Sequence, residues 1–140
     1  MEIVCLAYGD GHYYPTTNRI DNNFLEKIAF LLTDDVGWRW AGSFKESILN
    51  NTCHTIHGNM LRLEKKGEII LISDGYIKDD EERLQWAIEI KRDELAKIFD
   101  QWAEICEAMP PYFVILREGD SVTLKSYQTL EEVNALRSNL

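Results

Sequence analysis

Cys53, His54 and His57 form the densest group of potential metal ligands or nucleophiles in the chain. If that short stretch is helical, Cys53 and His57 share a face, and a thiolate beside an imidazole is the pairing a cysteine nucleophile requires. The pattern is incomplete for either chemistry. A closed zinc site takes four ligands, yet the only further histidine is His12, and neither a CxxC pair nor an HExxH motif is present. A nucleophilic site needs a third group to orient the base, which spacing alone does not locate. A polar cluster at a loop or helix end demands least of these residues, so no metal and no cofactor is expected.

Two further groups have suitable side chains. Asp10, His12, Tyr13 and Tyr14 follow the first apolar run, where a loop can project polar groups from a rigid edge. Gly9-Asp10-Gly11 has neither GxGxxG nor GxxxxGK[ST] spacing, so a phosphate cradle is unsupported. The loop reads either as a turn whose aromatics cover a sheet edge or as a tyrosine-rich contact loop. In Trp38-Arg39-Trp40, two tryptophans flank an arginine, which suits an interface hot spot or the plug at one end of a core. An enzyme reading would use His12, or Cys53 with His54 or His57, in a pocket lined by Trp38 and Trp40. A geometry that gathers those groups would favour it, and separately packed histidines would remove it.

The elements that must position these groups follow from periodicity. Glu2 to Tyr8 reads as a strand ended by the glycine turn, with a loop continuing to about Arg19. Asn23 and Glu26 resemble a capping box, and Phe24, Leu25, Ile28, Leu31 and Leu32 recur at helical spacing, so a helix is expected to end near Thr33 to Asp35. Ser43 and Glu46 repeat the cap before a second helix, Phe44 to about Asn50. Beyond the His57-Gly58-Asn59 turn, Met60 to Lys65 alternates as a half-buried strand, and Lys66-Gly67 turns into a central strand, Glu68 to Ile77. Leu84, Trp86, Ile88 and Ile90 alternate with Gln85, Ala87, Glu89 and Lys91; Leu84 to Lys97 also suits a helix on propensity alone, but the unbroken period of two predicts a third strand. Arg92 to Met109 carries a broad apolar helical face and stops at Pro110-Pro111. Tyr112 to Arg117 and Val122 to Tyr127 form a hairpin, and Thr129 with Glu132 caps a terminal helix. The expected fold is α+β, a single domain over residues 1–140. It has a mainly antiparallel sheet of about five to six strands with helices packed on one side.

Composition then limits the function. The 140 residues are 45% hydrophobic, enough for one core, and 24 acidic against 15 basic side chains give a net charge of −9. That charge repels a phosphate backbone and an anionic membrane surface, so neither nucleic acid nor membrane is an expected partner. No 18-residue apolar run and no leading basic-apolar segment occurs, and Cys5, Cys53 and Cys106 are odd in number and widely spaced, so the chain reads as cytoplasmic with free thiols.

The charge is not spread evenly. Asp79 to Glu107 holds ten acidic and four basic side chains, −6 of the net −9 in one fifth of the chain. On the long helix Asp93, Asp100, Glu104 and Glu107 fall within about 60° of one another, and like charges three and four apart cost a few tenths of a kcal/mol each, so helix stability does not explain them. A solvated surface without further role is one reading. The other is a face that attracts a basic partner, with Asp79, Asp80, Glu81 and Glu82 in an adjoining loop and Trp38 and Trp40 as anchors.

The run Leu84-Gln85-Trp86-Ala87-Ile88-Glu89-Ile90 leading to a tryptophan-bearing helix, Ile98-Phe99-Asp100-Gln101-Trp102, and then to the Tyr112 to Tyr127 hairpin, resembles immunity proteins of bacterial polymorphic toxin systems, including contact-dependent growth inhibition. The likeness covers the layout of most of the chain and contains no diagnostic motif, so no residue role is carried over. It implies a non-enzymatic, stoichiometric complex with the C-terminal domain of a cognate toxin, often a nuclease, made by the same cell. An adaptor or regulatory module in another pathway fits the same composition, and gene order separates the two.

Overall fold

The computed structural model describes residues 1–17, 19–50 and 54–139. Strand β1 (Glu2–Gly9) turns at Asp10-Gly11 into β2 (His12–Pro15). Both turn residues have positive φ, 51° at Asp10 and 86° at Gly11, as the type I′ hairpin requires. The expected loop to Arg19 is thus in part a strand. The Asp-Gly pair folds it back so that Gly9 lies opposite His12 and Leu6 opposite Pro15.

Helix α1 (Asn23–Phe30) is capped one residue earlier than the spacing suggested, because the Asn22 side chain accepts the Leu25 N–H at 3.0 Å. The helix also outruns its expected end. It widens into a π-helical segment, Leu31–Val36, closed by the Gly37 N–H donating to the Leu32 carbonyl at 2.9 Å. This segment carries a buried carboxylate. Asp35 accepts the backbone N–H groups of Met60 and Leu61, each at 2.8 Å, and a Cβ on Gly58 would overlap it. Burial pushes its pKa above the ordinary carboxyl value, partly opposed by the backbone donors. A raised folded pKa means that the native state holds the proton more tightly than the unfolded chain. The resulting stability is complete below the unfolded pKa and is lost as pH rises through the folded one. Asp35→Asn abolishes that titration. The stability of wild type relative to the variant, from urea unfolding, is therefore expected to fall as pH rises from the ordinary carboxyl value through the raised folded one, and a constant difference would refute the shift.

Helix α2 (Ala41–Leu49) begins before Ser43, which lies inside its first turn, and Trp40 occupies the cap position without a side-chain bond. Strands β3 (Thr55–His57), β4 (Leu61–Lys66) and β5 (Ile69–Asp74) follow. The largest departure comes next. Residues 80–85, partly assigned to a strand by alternation, form helix α3 (Asp80–Gln85), and only β6 (Ile88–Lys91) is extended. Asp79 accepts the Glu82 N–H at 3.1 Å, acids fill the first turn and Arg83 the last, so capping and the helix dipole override a period of two. Leu84 and Trp86, 47% and 52% exposed, were not alternating for burial. Helix α4 (Arg92–Ala108), strands β7 (Tyr112–Glu118) and β8 (Ser121–Tyr127), and helix α5 (Leu130–Ser138) complete the chain close to expectation, with the Thr129 cap formed.

The strands do not make one sheet of five or six. Among the described residues they form two antiparallel sheets of four, ordered β2-β1-β7-β8 and β3-β4-β5-β6. The division follows from β1, which pairs with β7 across the chain, and from β6, which feeds directly into α4 instead of meeting β7. Val4, Leu6, Phe113 and Ile115 of the first sheet share a core with Leu63, Ile70, Ile72, Ile88 and Ile90 of the second and with the apolar faces of α1 and α4. Helices are not confined to one side. Helix α5 covers the other face of the first sheet through Val133 against Cys5, Val114 and Leu116. On the other face of the second, Arg83 of α3 bonds Glu64 and Ser73 at 2.8 and 2.7 Å.

Candidate functional site

Helix α4 joins the two sheets, and its polar positions divide into those with internal duties and those without. Glu94 accepts the Val122 N–H and Gln101 the Leu124 N–H, both at 2.8 Å. These are outward-facing groups of the edge strand β8, so the helix closes an edge that would otherwise be open to another chain. Asp100 pairs with Lys45 of α2 at 2.9 Å. Asp93, Glu104 and Glu107 are exposed and take part in none of the ion pairs among the described residues.

The acidic stretch is not one surface. Asp79 caps α3 and Asp80 pairs with Arg83 at 3.3 Å, so both have local structural roles, while Glu81 and Glu82 are exposed in the first turn. Helix α3 lies on the outer face of the second sheet and α4 on its inner, core side. The sheet therefore separates Asp79–Glu82 from Asp93, Asp100, Glu104 and Glu107, and the supposed adjoining loop is a helix elsewhere.

The tryptophans are brought to α4. Phe44 packs edge-on against Phe99, Lys45 reaches Asp100, and the Gly37 carbonyl accepts the Trp102 indole N–H at 2.8 Å, which sets α2 antiparallel to α4. Trp40, one turn before Phe44, thus stands at the end of α4 that carries Glu104 and Glu107, and is 58% exposed. Trp38 has a divided role. Its ring stacks on Trp102 with centroids 6.2 Å apart, its N–H donates to the Gly11 carbonyl at 3.0 Å, and 37% of its surface remains exposed. Tyr8 meets it edge-on at 6.3 Å, and Met109, in the left-handed cap of α4, adds a half-exposed apolar side chain beside Pro110, whose carbonyl accepts the Tyr13 hydroxyl. Tyr8 and Trp38 thus form an aromatic pair at the surface, and Trp40, Met109, Glu104 and Glu107 are exposed toward the same end of α4. Tyr8 carries no such signal in the sequence, and Met109 reads as the last residue of the buried helical face, whereas the left-handed turn at the end of α4 exposes it; the β1–β2 hairpin and the end of α4 meet only in the fold.

The residues suited to catalysis are scattered. His12 is on β2 of the first sheet, His57 on β3 of the second and His54 just before it, all exposed, while Cys53 lies outside the described residues. Trp40 does not line the groove that holds His12. Burial raises the pKa of Cys5, and pushes that of Cys106 to about 11, so both thiols are protonated at neutral pH. Among the described residues no group of three or more His, Cys, Asp or Glu side chains is placed to hold a metal ion, and no helix is long and apolar enough to cross a membrane. No protein-family model, no curated protein and no solved structure matches the chain.

Proposed function

We propose that this protein is a non-enzymatic inhibitor that binds a basic partner domain in the cytoplasm and covers its working surface, as an immunity protein covers its cognate toxin. One observation supports this reading above others: Trp40 is largely exposed at the end of α4 where Glu104 and Glu107 are exposed and outside every ion pair among the described residues. Trp is among the residues that dominate interface energetics, and unneutralised acids at the same end of the helix steer a basic partner without contributing to the fold. A nuclease domain has the required charge, since its substrate is a polyanion. Asp79 to Glu82 and Asp100 play at most a long-range part, given their separate location and their internal bonds.

The test is coexpression with the toxic C-terminal domain encoded directly upstream. A complex that copurifies in equal proportion and restores growth is expected. Toxicity unaffected by the protein, with no complex formed, would overturn the reading and leave an adaptor role.

A further inference from the structure

Beside the Trp38 surface the hairpin and the end of the first helix border an open groove of about 390 Å³, whose lining includes His12, Tyr14, Pro15, Phe30, Thr33 and Asp34. A small hollow beside it shares His12 and Thr33 with the groove and is lined by Trp38 on its other side. Two aromatic rings in the groove are open to solvent, Tyr14 at 54% and Phe30 at 38%. Asp34 is exposed on the same wall, four residues after Phe30, and belongs to none of the ion pairs among the described residues. The carboxylate decides what can fill this space. An apolar side chain laid over the rings would strip water from Asp34 without replacing it, which is unfavourable. A cation restores the lost interaction, and it also relieves the repulsion between Asp34 and the buried Asp35 next to it. Of the two common cations, lysine is a hydrated point charge, whereas the flat guanidinium of arginine lies on aromatic faces and pairs with a carboxylate through two N–H groups at once.

We propose that this groove receives an arginine side chain of the basic partner, its guanidinium over the Tyr14 and Phe30 rings and bonded to Asp34. The inference rests on the inhibitor reading for the source of the arginine, but the groove is testable without the partner. Argininamide and lysinamide are titrated separately into the ¹⁵N-labelled protein and followed by amide NMR shifts. Argininamide is expected to give saturable shifts centred on His12, Tyr14, Thr33 and Asp34, at an affinity at least about threefold above that of lysinamide. Asp34→Asn is expected to abolish the saturation, and Glu131→Gln, exposed on α5, to leave it unchanged. Equal binding of the two probes, shifts that do not saturate, or unchanged binding by Asp34→Asn would each overturn the proposal. Failure here leaves the coexpression result untouched, so a wrong groove and a wrong function are distinguishable.

Discussion

Trp102→Ala is expected to lower unfolding stability by about 3–5 kcal/mol, the range for removing a large aromatic from a packed core. Trp102 is only 1% exposed. Its ring lies 5.5 Å from Phe113, 6.1 Å from Tyr13 and 6.2 Å from Trp38, centroid to centroid, so truncation removes the member that links the first sheet to the segment after the π-helical turn. The loss is not only apolar. Its N–H satisfies the Gly37 carbonyl at the residue where φ turns to 60° and the chain leaves the helix. Trp102→Phe separates the two contributions, since it keeps most of the ring volume and discards the donor; a smaller loss of about 1–2 kcal/mol is expected for it. Urea unfolding gives both values. In the alanine variant the near-ultraviolet circular dichroism should also fall, because Trp38 loses the ring it stacks on. An alanine variant within about 1 kcal/mol of wild type would show that this cluster does not hold the fold at that end.

How much of this was legible in the sequence depends on the range of the determining interaction. Helix α4 was readable because its buried residues Leu95, Ile98, Phe99, Trp102 and Ile105 repeat at the helical period and proline follows. The β7–β8 hairpin and the Thr129 cap were readable for the same reason, being decided within a few residues. The strand expected over Leu84–Ala87 is absent because alternation was weighed above helical propensity, and the structure caps a helix at Asp79, in a stretch whose spacing reads as loop. Apolar residues at Leu84 and Trp86 counted toward burial that does not occur. The division into two sheets was not legible at all, because it depends on β1 pairing with β7, over 100 residues apart at Glu2 and Arg117. The candidate site shows the same split. Sequence grouped the acids by adjacency along the chain, but the second sheet lies between α3 and α4. Asp100 was grouped correctly by helical face, yet Lys45, on a different helix, engages it.

That separation turns a charge argument into a positional one. Against the proposed basic partner domain, Glu104→Lys with Glu107→Lys is expected to slow association on the order of 10–100-fold at low salt and to flatten its dependence on ionic strength, while leaving unfolding stability nearly unchanged. Net charge alone would predict the same result for any two reversals. Glu81→Lys with Glu82→Lys therefore serves as the comparison, since it alters the formal charge by an equal amount on the far side of the second sheet. If the aromatic end of α4 is the docking surface, the α4 pair slows association several-fold more than the α3 pair, because steering weakens with distance beyond a screening length of about 8–10 Å. Asp100 is left intact in this design, as lysine there would face Lys45 and could loosen α2. Trp40→Ala completes the comparison by acting on the other rate constant: an anchor in a desolvated pocket lengthens the life of a complex more than it speeds encounter, so dissociation is expected to accelerate with little change in association. Equal slowing by both charge pairs, measured by stopped-flow fluorescence, would place the basic partner elsewhere, and a dissociation rate unchanged by Trp40→Ala would leave Trp40 an exposed residue without a binding role.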